Sequence, residues 1–317
     1  MKYEESQPQP DDSKQEQDNG PSVKYQKLAE VGKGTYGTVY KALDRYTGHI
    51  VAIKKMSFGK PDEGIPPVIL RETAILRDLH HPNIVHLESI IVEDTHISLV
   101  FEFVETDLKK YMESFRYGLG PDQIKKFLFQ LLLAVRYLHS KKIFHRDIKP
   151  QNILVDSKGC LKLTDFGLSR HFGFPLKTYT REVVTLYYRA PEIFLGDEHY
   201  LAAIDVWSIG CIFAEMVNND FIFQGETEVS ILFTIFHKLG TPTEETWPGV
   251  SQLPNMNPNF PHWPQRHIRQ FVPSLEPQGQ DLLEKMLILN PEERISTKDA
   301  LDHPYFDDIR DLYPSYE

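Results

Sequence analysis

Two short polar motifs constrain this chain more than any other feature, because their side chains can act together only if the fold makes them neighbours. Residues 145–152 read HRDIKPQN and residues 165–167 read DFG. Asp147 can orient a hydroxyl group and accept its proton, while Asn152 and Asp165 offer the hard oxygen ligands that suit magnesium. Each residue alone could be an ordinary turn former. Their joint occurrence predicts a site for phosphoryl transfer, which depends on placement and charge neutralisation.

Two lysines extend this pattern. Lys149 follows Asp147 by two residues and can stabilise a transferring phosphoryl group. Lys54 ends the apolar run at 51–54 (VAIK), where an unpaired charge would be costly. The phosphates of ATP would supply one partner, and Glu72 on a predicted helix would supply the other. A solvent-exposed lysine is the alternative, which the apolar neighbours disfavour.

A glycine-rich segment lies upstream, at residues 32–39 (GKGTYGTV). Glycines let the backbone approach phosphate oxygens closely. A dinucleotide-binding fingerprint would place them at the start of a helix. Here residues 38–41 look like a strand, which resembles the arrangement in protein kinases. A plain hairpin turn is the alternative.

Composition excludes several classes of protein. The chain has 317 residues and a formal net charge of −10, which argues against general binding to nucleic acid or anionic membranes. Its two cysteines, Cys160 and Cys211, have no ligand-like spacing, so neither a disulfide framework nor a zinc site is expected. No apolar run reaches the roughly 18 residues of a membrane span. We expect a reducing location, in the nucleus and cytoplasm.

The pattern of apolar residues predicts an α+β chain with two lobes. Residues 1–22 form a polar tail that is predicted to be disordered. One catalytic domain fills 23–306, followed by a C-terminal tail at 307–317. Its β-rich N-lobe covers about 23–104, a hinge lies at 102–107, and a mainly helical C-lobe covers 108–306. Strands are predicted at 28–31, 38–43, 49–56, 84–87, 90–92 and 96–103, and helices at 66–79, 124–138, 205–217 and 280–289.

With these motifs placed, the chain resembles the cyclin-dependent kinases from about residue 25 to 306. The resemblance rests on segments 34–37 (GTYG), 66–72 (PPVILRE), 100–103 (VFEF), 179–185 (YTREVVT) and 240–249 (GTPTEETWPG). It implies a bilobal protein kinase fold with one regulatory helix in the N-lobe. It also implies a serine/threonine kinase that uses ATP and Mg²⁺, because the lysine of HRDIKPQN is typical of that class.

The resemblance implies an ATP site between the lobes. The backbone of Glu102 and Val104 would hold adenine, Phe101 would guard the inner pocket, and Asp107 would lie near the ribose. The other residues implied for ATP are Val31, Gly32, Gly34, Thr35, Gly37, Val39, Ala52, Lys54 and Leu154. Four of these, Val31, Val39, Ala52 and Leu154, would sandwich the purine, although core packing alone would also explain them.

Regulation by phosphorylation follows from the same resemblance. Thr180 matches an activating site, and a phosphate there would bring a charge near −2 that calls for arginines. The three matching arginines come from separate elements, and they are Arg71, Arg146 and Arg170. Thr35 and Tyr36 match inhibitory sites, where a phosphate would repel ATP; shaping the loop is the alternative for both.

Substrate and partners are implied as well. Val183, Val184 and Arg189 resemble the pocket that selects proline after the target residue, which predicts protein substrates with Ser/Thr-Pro. The segment 66–72 should contact a cyclin, and residues 225–260 resemble a docking region for small Cks-type subunits. Two acids are expected to be structural: Glu192, paired with Arg294, and Asp205, bracing the catalytic loop.

The sequence is also compatible with rival functions. A transcription-type cyclin-dependent kinase or another proline-directed kinase is the nearest alternative. A mitogen-activated protein kinase would carry Tyr at Glu182. A pseudokinase usually lacks one of Lys54, Asp147, Asn152 and Asp165, and all four are present. A small-molecule kinase would not need the motif at 190–192 (APE).

Overall fold

Five antiparallel strands form the N-terminal lobe in the computed structural model, which describes residues 24–34, 37–57, 73, 76–93, 95–165, 183–197 and 202–313. The sheet order is β1-β2-β3-β5-β4. The strands are β1 (Tyr25–Gly34), β2 (Gly37–Asp44), β3 (Ile50–Ser57), β4 (Leu87–Val92) and β5 (His96–Glu102). Alternation along β3 divides its side chains between two faces. Val51 and Ile53 join a small cluster on one face, and Met56 joins the main core from the other.

Gly48 lies in the turn between β2 and β3. Gly48 has a φ of +74°, in the left-handed region where a side chain would be strained. Its N–H donates to the Asp44 carbonyl at 2.8 Å. The Asp44 carboxylate accepts from the N–H of Tyr46 at 2.9 Å. These bonds close the turn and set the register of both strands.

The predicted strand at 84–87 is wrong, because this segment bonds to the other lobe. Ile84 forms an isolated bridge with Leu163, and β4 begins only at Leu87. The Leu163 N–H donates to Asn83 O at 2.9 Å, and the Val85 N–H donates to Leu163 O at 3.0 Å. The Asn83 side chain donates to Leu161 O at 2.8 Å. This cross-lobe junction, residues 83–85 on Leu161–Leu163, satisfies backbone groups that the sheet cannot reach.

The second lobe is mainly helical. A three-stranded sheet of β6 (Thr106–Asp107), β7 (Ile153–Val155) and β8 (Leu161–Leu163) lies at its start. The α-helices are α1 (Leu108–Glu113), α2 (Pro121–Ser140), α3 (Pro191–Phe194), α4 (Ala203–Asn218), α5 (Glu228–Leu239), α6 (Pro277–Met286) and α7 (Thr297–Leu301). Short 3-10 helices cover Pro150–Asn152, Val183–Tyr188, Val250–Gln252, Ile268–Gln270, Pro304–Phe306 and Arg310–Leu312.

Helix α4 forms the centre of this lobe. Its residues from Ile204 to Met216 are buried on every side, as expected of a helix that is apolar all round. The sequence predicts this helix and α2 closely. It places α6 too late, at 280–289, because Pro277 begins the helix and the chain turns out of it after Met286.

Two further predictions concern a helix at 66–79 and a C-terminal tail at 307–317. The predicted helix at 66–79 lies largely outside the described residues, of which 73, 76 and 77 are helical. Residues just beyond 306 pack against α2: Ile309 is buried, and the Tyr313 ring lies 5.0 Å from that of Phe129. None of the described helices combines the length and apolar character needed to cross a bilayer.

Candidate active site

The loop before β7 gathers three of the predicted catalytic and metal-binding side chains. Lys149 Nζ lies 3.0 Å from Asp147 Oδ2. Asn152 Nδ2 donates to the same oxygen at 3.0 Å and to the Asp147 carbonyl at 2.8 Å. The Asp147 carboxylate is therefore held by two donors while its side chain is 36% exposed. A partly exposed, oriented carboxylate is suited to accept a proton from a bound hydroxyl.

Asp205 braces this loop, as the sequence predicts. Its Oδ2 accepts from the His145 N–H at 3.0 Å and its Oδ1 from the Arg146 N–H at 2.8 Å. Arg146 has a φ of +69°, an unfavourable conformation for a residue with a side chain. A buried carboxylate that accepts two backbone bonds offsets this strain. His139 Nε2 lies 2.8 Å from Asp205 Oδ2 and helps to orient it.

His145 joins the two polar motifs. Its Nδ1 accepts the Asp147 N–H at 3.2 Å, so its Nε2 carries the proton and donates to Thr164 O at 2.9 Å. The Thr164 N–H in turn donates to Asn152 O at 2.9 Å. Thr164 directly precedes Asp165, so these bonds position the second motif relative to the first.

Lys54 reaches Asp165 across the lobes. The distance from Lys54 Nζ to Asp165 Oδ1 is 2.6 Å, and the two side chains are 11% and 46% exposed. The sequence predicts Glu72 as the partner of this lysine, but Glu72 lies outside the described residues. The contact with Asp165 places a positive charge beside a predicted metal ligand, and no sequence motif indicates this pairing.

Hydrogen bonds of Glu102 and Asp107 hold the connection between the lobes. The Glu102 N–H donates to His86 O at 3.1 Å, and the Glu102 carboxylate accepts from the His86 N–H at 2.8 Å and from Lys162 Nζ at 2.9 Å. Asp107 caps α1 by accepting the Lys110 N–H at 2.9 Å. The predicted contact of Asp107 with ribose would therefore have to coexist with a capping role.

The residues expected around a purine differ in how far their side chains are exposed to solvent. Val31 is exposed, Val39, Ala52, Phe101 and Leu154 are half-buried, and Val104 is buried. Leu154 pairs with Asp107 across β6 and β7, which brings it to the lobe connection. Exposed or half-buried apolar side chains are available to a flat aromatic ligand.

Gly37 has a packing requirement of its own. It has a φ of +149°, and a β-carbon there would lie 2.1 Å from the Lys55 carbonyl oxygen. Only glycine allows β2 to approach β3 so closely. By contrast, a β-carbon on Gly32 would meet nothing within 4 Å. Close approach of a phosphate thus remains a reason for Gly32, while Gly37 is already explained by the sheet.

The oxygen ligands and lysines of this site fit a nucleoside triphosphate bound with a hard cation. The Asn152 amide nitrogen is engaged by Asp147, so its amide oxygen is the atom with which it would bind a metal. Asp165 supplies a carboxylate, and hard oxygen ligands of this kind suit Mg²⁺. Lys54 and Lys149 supply positive charge on either side.

Glu192 and Arg294 form the ion pair that the sequence predicts. Arg294 Nη1 and Nη2 donate to the two carboxylate oxygens at 2.7 and 2.9 Å, with both side chains fully buried. Its three other N–H groups donate to backbone carbonyls, those of Ile288, Ala203 and Leu289. All five donors of the guanidinium are satisfied, which makes burial of the charge tolerable.

A buried network around Glu215 escapes the sequence analysis. Glu215 lies on α4, accepts from the Tyr188 hydroxyl at 2.6 Å and lies 3.5 Å from Lys109. Burial raises the pKa of Glu215, while the Tyr188 hydroxyl and Lys109 oppose the shift. A glutamate in the middle of a mainly apolar helix is the signal that could have revealed it.

Several predicted residues cannot be placed. Arg146 and Arg189 are described, whereas Arg71, Arg170, Thr35, Tyr36 and Thr180 lie outside the described residues, as does Glu72. Val183 and Val184 belong to the 3-10 helix Val183–Tyr188 by backbone, and their side chains also lie outside the description.

A family model described as Protein kinase domain matches residues 25–306, most of the chain. The match extends from β1 to the 3-10 helix Pro304–Phe306. It confirms the predicted α+β architecture, a five-stranded antiparallel sheet followed by a mainly helical lobe.

Proposed function

The chain belongs to the protein kinase domain family, and on that premise we propose that it is a cyclin-dependent serine/threonine kinase acting on Ser or Thr followed by Pro. The observation that carries the catalytic part is the arrangement of Asp147, Lys149 and Asn152, in which one carboxylate oxygen contacts both other side chains. The cyclin-dependent part rests on the segments around residues 66–72 and 179–185.

The proposed reaction uses few groups. Asp147 orients the substrate hydroxyl and accepts its proton as the oxygen attacks the γ-phosphorus of ATP. The bond from that phosphorus to the β–γ bridging oxygen breaks, and ADP leaves. Lys149 neutralises charge that develops on the transferring group. Lys54 would hold the non-reacting phosphates. The backbone of Glu102 and Val104 would hold adenine, Glu102 through its carbonyl because its N–H already donates to His86 O. Asn152 and Asp165 would hold Mg²⁺, which supplies charge neutralisation to the phosphates.

Regulation forms a separate part of the proposal. Phosphate on Thr180 would be bound by Arg71, Arg146 and Arg170, and phosphate on Thr35 or Tyr36 would inhibit. Arg146 is suited to binding this phosphate because its backbone is fixed: its N–H donates to Asp205 Oδ1 at 2.8 Å. The partners would be a cyclin, a Cks-type subunit and Ser/Thr-Pro substrates, with a role in the cell cycle in nucleus and cytoplasm.

The test is a comparison of the purified chain with its cyclin complex. A pull-down from cells identifies the bound cyclin, and phosphorylation of a Ser-Pro peptide is then measured for the chain with and without it. We expect little activity alone, a large increase with cyclin, and a weaker increase for Thr180→Ala. Full activity of the monomer would exclude cyclin dependence, and recovery of a transcriptional cyclin would favour the transcription-type alternative.

A further inference from the structure

Arg189 is oriented by a contact with a helix far along the chain. Its Nη1 donates to Glu228 Oε1 at 3.1 Å, with the two side chains 24% and 60% exposed. The guanidinium carbon also lies 5.8 Å from the centre of the Phe194 ring. The Arg189 N–H donates to Leu186 O at 3.1 Å, which fixes the backbone below it. The guanidinium is thus held from two sides.

Glu228 projects from a firmly built helix start. It is the first residue of α5, which begins with a reciprocal cap: the Ser230 N–H donates to Thr227 Oγ1 and the Thr227 N–H to Ser230 Oγ, at 3.2 and 2.9 Å. The preceding loop packs tightly there, since a β-carbon on Gly225 would lie 2.4 Å from Ser230 Oγ. A negatively charged side chain in a first helical turn also interacts favourably with the helix dipole.

Arg189 lies where its contact with Glu228 can affect which substrate residue is accepted. Arg189 lines the same pocket as Asp147 and Ile148, between the catalytic loop and α3. A guanidinium offers five N–H donors and no acceptor. A substrate residue whose backbone N–H faced that wall would leave its donor unsatisfied, which is costly in a desolvated site. Proline has no N–H and avoids the cost.

Resting on the proposed proline-directed function, we propose that Glu228 is a positioning residue for substrate selection. It holds the Arg189 guanidinium against the pocket that receives the residue after the phosphorylated Ser or Thr. Without this carboxylate the guanidinium turns toward solvent, and the wall of the pocket that Arg189 forms no longer presents its N–H donors to the substrate. The ion pair itself is too exposed to add much to stability, so its effect should appear in specificity.

The experiment compares two peptides that differ only in having Pro or Ala after the target Ser. The specificity ratio, kcat/KM for the Pro peptide over that for the Ala peptide, is measured for the complex of the full chain with the cyclin from the pull-down. We expect Glu228→Gln to lower this ratio about threefold to tenfold, the scale of one partly exposed charged contact. The KM for ATP and the melting temperature should not change.

A matched control and a second variant isolate the cause. Asp307→Asn breaks the Arg310–Asp307 pair, which has the same 3.1 Å separation and similar exposure but lies far along the chain; it should leave the ratio unchanged. Arg189→Lys keeps the charge but loses the planar fork. If Glu228 acts through Arg189, adding Glu228→Gln to Arg189→Lys should lower the ratio no further.

The outcomes are distinct. A wild-type complex that phosphorylates both peptides equally would overturn the proline-directed function and this role with it. A wild-type preference for Pro that Glu228→Gln leaves intact would overturn only the role of Glu228. An additive loss in the double variant would also overturn it, because Glu228 would then act independently of Arg189.

Discussion

Two ion pairs of this molecule differ in almost every respect, although each joins segments distant in sequence. Arg294 and Glu192 are fully buried, bound through two parallel hydrogen bonds, and every remaining guanidinium N–H reaches a carbonyl. Lys54 and Asp165 meet through one contact at 2.6 Å, and nearly half of the Asp165 side chain is exposed. The first pair has no capacity for another ligand, whereas the second can exchange its partner.

The buried pair is suited to stabilising the fold, whereas the exposed pair is suited to binding ligands during a reaction. A saturated, buried pair resists rearrangement because breaking it leaves a charge without solvent. An exposed carboxylate and a lysine, whose ammonium group has three N–H donors, can instead release each other when phosphates and a cation arrive. We therefore expect substitutions at the two pairs to affect different measured quantities.

The largest expected effect concerns activity alone. Asp147→Asn keeps the size of the side chain but removes the base, so kcat should fall about 10³-fold. Nucleotide affinity, measured by calorimetry, and the melting temperature should stay near those of the wild type. Retained turnover would remove Asp147 from its role and place the base elsewhere.

Stability should respond most strongly at the saturated pair. Arg294→Ala leaves Glu192 buried and uncompensated, and should lower the free energy of unfolding by about 3–5 kcal/mol. Urea denaturation followed by circular dichroism measures this change. A loss below about 1 kcal/mol, typical of exposed pairs, would contradict the distinction between the two pairs.

A histidine near the cross-lobe junction predicts how stability depends on pH. Burial, with a smaller contribution from Lys162, lowers the pKa of His81 from 6.5 to about 4. The folded state therefore favours the neutral ring, so this contribution is fully present above pH 6.5 and is lost as pH falls toward 4.

His81→Asn provides the comparison, because an amide oxygen can still accept the Asn83 N–H that His81 Nδ1 accepts at 3.0 Å. Urea midpoints of the variant should decline less than those of wild type between pH 6.5 and 4. Parallel declines would show that other groups determine the acid sensitivity of this region.

The smallest expected change in stability belongs to the exchangeable pair. Lys54→Met removes the charge but keeps a long apolar stem, and Asp165 remains solvated, so unfolding should change by less than about 1 kcal/mol. Affinity for ATP should nevertheless fall clearly in a titration. Unchanged affinity would refute the assignment of Lys54 to the phosphates.

Sequence patterns predict the parts of this structure that depend on local periodicity or on specific motifs. Alternation finds β2 and β3, helical spacing finds α2 and α4, and the motif residues lead to Asp205 and to the Glu192–Arg294 pair. They cannot find contacts that depend on how remote segments dock. Lys54 with Asp165, separated by 111 positions, is one example. The strand predicted at 84–87 is another, since its pairing is decided by Leu163 in the other lobe.

The cross-lobe junction restricts how the two lobes can move. The chain passes between them at residues 102–107. Apart from the exchangeable Lys54–Asp165 contact, the backbone bonds of Asn83 and Val85 to Leu163 join them a second time. A body attached at two separate points turns about the line through those points and resists tilting in other directions. Opening and closing around a nucleotide should therefore follow a single axis, with Asp165, two residues past Leu163, close to that axis and displaced little by the motion.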